Sequence, residues 1–319
     1  MDATTLNQTL SFIHTFEDYE KLKQYIEEGL ARAIIHRHQL SEASLMLFPE
    51  GTNIVFLYGN KVIKIFPPFH QSQFESERLV LKHVYGKLSI KTPLLEHEGE
   101  LFGWPYLIIG KLEGTLLESL WENMEHDNKE IILRELGALI REVHALPTNG
   151  LEAIDCHWPQ FLEKQIAYCV EQHRTKGLPK VLLQQLPAYL DSIKEELPEI
   201  KQPVLLTGEY TPMNFLVSQA KGIWHLSGLI DFGDAMLGLP EYDLLGPGAF
   251  LIQGDKKLLH TFLMAYGYLS HELTNKLSHQ LTALMLLHQY SNLNVQVRIP
   301  GWKNKVSSLR DLEDLVWGF

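Results

Sequence analysis

Hydrophobic and polar residues follow two different patterns in the first part of the chain. Residues 15–40 place Leu and Ile among Glu and Lys at helical spacing, which predicts one or two opening helices. The runs 53–58 and 61–66 are rich in β-branched and aromatic residues and are joined by Gly59–Asn60, which predicts a β-hairpin. Pro67 and Pro68 end the second strand, because proline has no N–H to donate to a ladder.

A helix and two further strands are predicted next. Apolar side chains recur on one face of a helix that runs from about 71 to 85. Apolar runs at 94–95 and 104–109 lie on either side of a predicted turn at 97–100. With the hairpin, these strands would complete a small antiparallel sheet.

Helical periodicity dominates from Asp127 onward, where an apolar stripe continues until Pro147 ends it. One β-like interruption extends from Val204 to Ile230. Four more helices are expected near 160–173, 179–196, 256–268 and 271–290.

This order predicts an α+β protein with a mostly β N-terminal part and a mostly helical C-terminal part. We expect two domains, 1–110 and 111–319, with a boundary near Gly110–Gly114. The length of 319 residues agrees with two domains.

Composition narrows the class of partner and the compartment. Lys and Arg number 28 against 39 Asp and Glu, a net charge of −11, which disfavours nucleic acid and is compatible with a cationic small molecule. Cys156 and Cys169 stand alone, which suggests a reducing compartment. The N-terminus shows no signal-peptide pattern and the chain shows no apolar run long enough for a membrane span, so a cytoplasmic location is expected. The 15 histidines form no metal-type cluster in the sequence.

The residues that point to chemistry lie in the β-like interruption. The runs 215–217 and 223–226 are expected to pair around a turn and to bring Asn214 close to Asp231. An amide oxygen and a carboxylate together offer the hard oxygen ligands that Mg²⁺ prefers. Glu209, on the loop that enters the hairpin, could reach a hydroxyl beside such a metal site. A base and two metal ligands on a hairpin form the layout of a kinase catalytic centre.

The segment 204–243 resembles the catalytic region of the aminoglycoside-phosphotransferase family, the protein-kinase-like kinases of small molecules. The family pattern is H-G-D-x-x-x-x-N, a hairpin, I-D-F/W and then G-D-P-x-Y-D-L, and this chain has Thr207-Gly-Glu209, Asn214, Ile230-Asp-Phe-Gly233 and Gly238-Leu-Pro-Glu-Tyr-Asp-Leu244. The resemblance implies a bilobal kinase-like fold with a catalytic β-hairpin and transfer of a phosphoryl group from ATP or GTP to a small hydroxylated acceptor. It further implies that Asn214 and Asp231 hold Mg²⁺ and that Asp243 braces the catalytic loop.

A second set of candidates lies in the N-terminal part. Val62-Ile-Lys64 matches the V-x-K of kinase strand three, whose lysine contacts the α- and β-phosphates, although an edge-strand lysine would look the same. Glu77 shares the apolar helix face with Phe74 and Leu81, so a buried carboxylate there needs a cation, and Lys64 is the obvious one. Glu75 is the alternative on another face.

Two weaker matches complete the nucleotide site that the resemblance implies. Gly51, Thr52 and Asn53 resemble the family's phosphate-covering turn, with one glycine where the family has two. Ile109 and Lys111 lie in a segment that resembles the hinge, whose backbone would contact the nucleobase. The candidate acceptor residues are His288, Tyr290 and Asn292 near the end of the chain, positions that helical periodicity also permits as ordinary helix-surface residues.

Glu209 departs from the family, which has aspartate at the base position. Its side chain is longer by about 1.5 Å, so the expected activity competes with a pseudokinase that binds nucleotide without efficient turnover. A protein kinase is disfavoured, because Pro240–Asp243 follows Asp231 with no room for a long activation loop.

Overall fold

The computed structural model describes residues 3–48, 51–193, 197, 200 and 202–319. The chain forms two compact units. The first comprises the chain up to Lys87, Lys91–Glu113 and the short segment Asp231–Asp234. The second comprises Leu88–Ile90, Gly114–Ile230 and Ala235–Phe319.

The described part of the first unit contains an antiparallel sheet, three α-helices and a short 3-10 helix at Pro68–His70. The helices are α1 (Ala3–Leu10), α2 (Phe16–Arg37) and α3 (Gln71–Val84). The strands are β1 (Leu45–Phe48), β2 (Ile54–Tyr58), β3 (Lys61–Ile65), β4 (Leu95–Leu101) and β5 (Trp104–Gly110), in the order β1-β2-β3-β5-β4. The predicted hairpin at Gly59–Asn60 is confirmed, since Tyr58 pairs with Lys61. The opening helix α1 was not predicted.

The core of the first unit forms between α2 and the sheet. Ile26, Leu30 and Ile34, spaced along one face of α2, are fully buried together with Ile63 and Trp104 of the sheet. Because this apolar face is what the helix buries, the polar residues on its other side remain in solvent.

The predicted turn at 97–100 is wrong. Those residues belong to β4, and the chain turns instead at Phe102–Gly103, where φ is 54° and 80°. These positive angles are typical of a tight hairpin turn. β4 is the edge strand, so its charged side chains can face solvent, and Glu98 pairs with Lys82 at 2.5 Å.

The second unit is mostly helical and contains two small sheets. Its helices are α4 (Leu117–Trp121), α5 (His126–His144), α6 (Trp158–Thr175), α7 (Lys180–Leu183), α8 (Leu186–Ile193), α9 (Lys256–Tyr266), α10 (Asn275–Leu287), α11 (Leu293–Gln296), α12 (Trp302–Lys305) and α13 (Leu309–Trp317), with a π-helical segment at Pro247–Ile252. Its strands are β6 (Thr115–Leu116), β7 (Val204–Leu206), β8 (Phe215–Ala220), β9 (Ile223–Leu229) and β10 (Met236–Gly238). β7 pairs with β10, and β8 lies between β6 and β9.

Most of the predicted helices are present. The helix expected at 179–196 is instead two helices, α7 and α8, and its predicted end at 194–196 lies outside the described residues. The break is explained by Pro187, whose ring would clash with the carbonyl of Leu183, where α7 ends. None of the described helices is long and apolar enough to cross a membrane.

Glycine allows the helices α5 and α9 to approach closely. A Cβ atom on Gly137 of α5 would lie 2.4 Å from the carbonyl oxygen of Phe262 in α9. Any larger residue would therefore force the backbones of the two helices apart.

Candidate active site

A buried aspartate holds the loop 207–214, which connects β7 to β8. Asp243, 3% exposed, accepts hydrogen bonds from the backbone N–H groups of Thr207 at 3.0 Å and Gly208 at 3.1 Å. It also lies 3.1 Å from Nε2 of His144, and Nδ1 of that ring lies 3.0 Å from the hydroxyl of Tyr266. Gly208 has a φ of +80°, which a residue with a Cβ atom rarely adopts. The start of the loop is therefore fixed by a hydrogen-bonded network.

Glu209 and Asn214 lie at the two ends of the rest of this loop. The amide Nδ2 of Asn214 donates to the carbonyl oxygen of Glu209 at 3.0 Å and to its carboxylate Oε2 at 3.4 Å. These bonds orient the buried amide so that Oδ1, the better metal ligand, is not used by the loop itself. Glu209 remains partly exposed.

The hairpin β8–β9 fixes the backbone of Asn214 at its open end. Phe215 pairs with Leu229, and the N–H of Ile230 donates to the carbonyl oxygen of Asn214 at 2.9 Å. The backbone of Asn214 is thus bonded to the residue that immediately precedes Asp231. The strands are longer than the sequence predicted, and the turn lies at Lys221–Gly222, where both φ angles are positive.

Lys64 forms ion pairs with two carboxylates within the first unit. Its Nζ lies 2.5 Å from Oε2 of Glu77 and 2.8 Å from Oδ1 of Asp231. Lys64 and Glu77 are buried, with Glu77 only 1% exposed. β3 lies between β2 and β5, so Lys64 is not an edge-strand lysine. The alternative, Glu75, pairs with Arg78 instead.

Burial and charge act against each other in this cluster. Burial favours the neutral form of Lys64, but the charges of Asp231 and Glu77 outweigh it and raise the lysine's pKa. Burial likewise acts to raise the pKa of Asp231, but the Lys64 charge and hydrogen bond hold that pKa below its usual value. For Glu77 burial is stronger than the attraction to Lys64, and its pKa is raised. One lysine shared by two carboxylates leaves the cluster with an excess negative charge when both are ionised.

Asp231 combines backbone strain with an accessible carboxylate. Its φ of +65° is unusual for a residue with a side chain, and such strain concentrates at functional sites. Oδ1 accepts from the N–H of Gly233 at 3.2 Å, and 42% of the side chain remains exposed. Each candidate ligand, taken by itself, is of a type that Mg²⁺ binds: Asp231 has an accessible carboxylate, and Asn214 has an amide oxygen that is not used in the bonds to Glu209.

The turn before β2 is tied to α3. Asn53 donates to Gln73 at 3.0 Å and its Oδ1 lies 3.0 Å from Nδ1 of His70. Gln73 in turn donates to Asp234 at 3.2 Å. Gly51, with a φ of +133°, and Thr52 are exposed at the tip. Gln73 could not be predicted from the sequence, because a single glutamine on a helix surface forms no pattern.

The two predicted hinge residues are Ile109, near the end of β5, and Lys111, which comes just after that strand. Ile109 pairs with Val62 in the sheet. The backbone N–H of Lys111 donates to the carbonyl oxygen of Asn60 at 2.9 Å, and its side chain pairs with Glu113 at 3.1 Å. Any contact between the Lys111 backbone and a nucleobase is thereby limited to its carbonyl group. Nucleobase binding by these two residues stays a prediction.

A cavity of about 290 Å³ lies within the second unit, beside the loop 207–214. We call it the loop cavity. The three acceptor candidates from the sequence, His288, Tyr290 and Asn292, all line it, together with Glu209. Tyr242 and Phe250 also line it. Tyr242 belongs to the Gly238–Leu244 motif, but the motif alone does not indicate that its ring lines a cavity, and Phe250 lies outside every motif.

Comparisons with known proteins show the family to which this chain belongs and the solved structures that its fold resembles. The model of the phosphotransferase enzyme family matches residues 52–275. The structure of wild-type aminoglycoside 2′-phosphotransferase-IIIa with GDP is similar to this chain at 20% identity and a TM-score of 0.67, covering 91% of this chain and 97% of that one. The complex of APH(2″)-IIIa with GDP and kanamycin gives 20% and 0.64, covering 90% and 97%, and aminoglycoside phosphotransferase APH(4)-Ia gives 17% and 0.59, covering 90% and 97%.

The fold is therefore the protein-kinase-like fold of the small-molecule kinases, and the α+β class predicted from the sequence is confirmed. The family match spans most of the chain, including both the Lys64–Glu77 pair and the loop with Glu209. The chain belongs to the phosphotransferase enzyme family.

Proposed function

We propose that the protein transfers the γ-phosphoryl group of ATP or GTP to a hydroxyl group of a small molecule. The observation that carries this proposal is the loop 207–214, on which Asp243 fixes the backbone and Asn214 binds Glu209. The family match supports a phosphotransferase, and similar structures with GDP support a nucleotide donor.

Glu209 is the proposed general base. An acceptor hydroxyl would attack the γ-phosphorus, a new P–O bond would form, and the bond to the β–γ bridging oxygen would break to release the nucleoside diphosphate. The hydroxyl proton would pass to the Glu209 carboxylate. Mg²⁺, held by Asn214 and Asp231, would neutralise the phosphate charge that develops in this reaction.

The first unit is proposed to bind the nucleotide. Lys64, held by Glu77, would contact the α- and β-phosphates. Gly51, Thr52 and Asn53 are proposed to cover the phosphates with backbone N–H groups, as glycine-containing turns do. Ile109 and Lys111 are proposed to contact the nucleobase. We retain 1–110 and 111–319 as the proposed division into nucleotide and catalytic domains, and a cytoplasmic location as a prediction from the sequence.

The charge of the chain bears on the class of acceptor. The net charge of −11 is compatible with a cationic or amino-sugar acceptor, possibilities that include an aminoglycoside. One solved relative is a complex with kanamycin, which supports a small-molecule acceptor site in this fold.

A nucleotide-binding pseudokinase is the second candidate. It is favoured by one observation, the presence of Thr207–Gly208–Glu209 where the family has histidine, glycine and aspartate. An active kinase and a nucleotide-binding pseudokinase would both retain the buried Lys64–Glu77 pair.

A phosphotransfer screen with labelled ATP and GTP tests the proposal. Wild-type protein is compared with Glu209→Gln and with Glu163→Gln, a control on the exposed surface of α6. We expect transfer to at least one amino sugar, nucleoside, sugar or amino alcohol, a loss of about 10²–10⁴-fold in Glu209→Gln, and no change in the control. A thermal shift with Mg-ATP but no turnover would favour the pseudokinase. Equal transfer rates in wild type and Glu209→Gln would show that Glu209 is not the general base.

A further inference from the structure

The loop cavity has few charges with which to bind a cation. Its charged lining residues, among those the structure describes, are Glu209, Asp243 and Lys176. Asp243 uses one carboxylate oxygen for Gly208 and the other for Thr207 and His144, so it is not available to an ammonium group. Glu209 is the other carboxylate of the described lining, and Lys176 contributes one charge of the opposite sign.

A second cation lies close behind the wall of the cavity. The guanidinium of Arg298 stacks over the ring of Phe250 with 4.8 Å between the guanidinium carbon and the ring centroid. Its charge is balanced by Glu118 at 3.2 Å, so that carboxylate is also already paired. Glu209 and Asp243 against Lys176 leave a net charge of −1 in the described lining. Arg298 and Glu118 cancel, so a molecule with several ammonium groups would meet too little negative charge to balance its own.

Two stacked aromatic rings, which we call the aromatic wall, belong to the lining of the loop cavity. The imidazole of His288 stacks on Tyr242, with ring centroids 4.6 Å apart and an interplanar angle of 15°. The Tyr242 hydroxyl accepts from the N–H of Gln289 at 3.0 Å, and Nδ1 of His288 accepts from the N–H of Tyr290 at 3.2 Å. These bonds fix both rings in place.

The histidine in this wall is uncharged near neutral pH. Burial lowers the pKa of His288 to about 4. Because Nδ1 accepts a hydrogen bond, the neutral ring carries its proton on Nε2 and can donate from there. With Tyr242 only 2% exposed, the pair presents mainly the flat, uncharged His288 ring with a hydrogen-bond donor at its edge, which suits a planar or ring-shaped neutral group.

We propose that the acceptor is a small hydroxylated molecule with one flat apolar face and at most one positive charge, rather than a polycationic aminoglycoside. The proposal rests on the phosphotransferase function proposed above, since it names the acceptor of that same site. The volume of about 290 Å³ is at the small end for ligand pockets, which span about 300–1,000 Å³. Stacking on His288, whose ring is supported by the buried Tyr242, would orient the molecule, and its hydroxyl would be directed at Glu209.

Calorimetric titration of the nucleotide-free protein tests this directly. The probes are phenyl β-D-glucopyranoside, methyl β-D-glucopyranoside and kanamycin at one ionic strength. We expect the phenyl glucoside to bind at least about 10-fold more tightly than kanamycin, and removal of the phenyl ring to weaken binding about 2- to 10-fold, the usual range for one aromatic contact.

Three variants identify the groups responsible. His288→Ala should bring the phenyl glucoside down to the affinity of the methyl glucoside, while Tyr168→Ala, an exposed tyrosine of α6 outside the described lining, should change nothing. Lys176 is exposed, so Lys176→Glu leaves the hydrophobic core unchanged. This variant should bind kanamycin about 2- to 5-fold more tightly and the phenyl glucoside with unchanged affinity.

The outcomes separate this inference from the proposed function. Tighter binding of kanamycin than of the phenyl glucoside, no detectable phenyl glucoside binding at millimolar concentration, or no response of kanamycin to Lys176→Glu would each overturn the inference. If the predicted order of binding is found but no phosphoryl group is transferred from Mg-ATP, only the proposed function fails. If transfer occurs and kanamycin is the preferred acceptor, the proposed function stands and this inference is wrong.

Discussion

Replacement of Lys64 by methionine should destabilise the first unit, and the loss should depend on pH. Methionine keeps the length and apolar stem of lysine but removes the charge that lies 2.5 Å from Glu77 and 2.8 Å from Asp231. Asp231 is 42% exposed and can be hydrated, so the main cost comes from Glu77, which is 1% exposed. Removing one partner of a buried pair costs about 3–5 kcal/mol when the other stays charged.

Glu77 can escape this penalty by taking up a proton. Its pKa is raised by burial even beside Lys64, and without the lysine it should rise further. A carboxyl whose pKa in the folded state exceeds its unfolded value lowers stability as pH increases from the unfolded value, 4.5, to the folded one. The variant should therefore lose about 1.4 kcal/mol per pH unit across that window. Wild type loses stability in the same way until the pH reaches its own Glu77 pKa of about 7, so the two profiles should diverge only above about pH 7, and the difference between them should be largest at about pH 8.

Urea denaturation between about pH 5 and pH 8 measures this effect. Of the six tryptophans, Trp104 alone belongs to the first unit, so ¹⁹F-labelled tryptophan resolves the unfolding of that unit from the rest. The double variant Lys64→Met/Glu77→Gln is the matched control, because it lacks the titrating acid and should show a much flatter pH profile. Equal unfolding midpoints for wild type and Lys64→Met at about pH 8, or parallel profiles for the single and double variants, would refute the reasoning.

Two further substitutions test the second unit. Asp243→Asn places an N–H donor where the N–H groups of Thr207 and Gly208 both donate, which should displace the loop that carries Glu209. Steady-state kinetics should therefore show a fall in kcat of about 10²-fold with little change in nucleotide KM. An unchanged kcat would mean that the network does not position Glu209. Gly137→Ala should lower the unfolding free energy by about 1–2 kcal/mol, because the new Cβ would lie 2.4 Å from a backbone oxygen of Phe262, whereas Gly29→Ala, whose Cβ would meet only a Leu6 side chain at 3.4 Å, should be neutral or stabilising. Equal melting temperatures for the two alanine variants would contradict the close approach of α5 and α9.

The sequence was most informative where a side chain broke its local pattern. A carboxylate on an apolar helix face requires a cation, and Glu77 is indeed buried against Lys64. The hairpin at Gly59–Asn60 and the helix α5 could be predicted because their signals are local and repeated over several residues.

Features set by distant parts of the chain could not be predicted. β6 and β10 contain two and three residues, too few for an alternating pattern, and form because β8 and β7 offer them partners. The turn after β4 was misplaced because the charged residues of an edge strand resemble a loop. Gln73 and the Tyr242–His288 stack depend on contacts across long sequence separations, which periodicity does not report.

The central claim is that this chain transfers a phosphoryl group, and product analysis tests it most directly. Wild-type protein and Asp231→Asn are incubated with [γ-³²P]ATP, Mg²⁺ and a mixture of hydroxylated small molecules, and label in low-molecular-weight product is separated from free phosphate. We predict labelled product with wild type and a loss of at least about 10²-fold with Asp231→Asn, because an amide cannot replace the carboxylate charge at the proposed metal site. Labelled product formed equally by both proteins, or by neither while both bind Mg-ATP, would contradict the account.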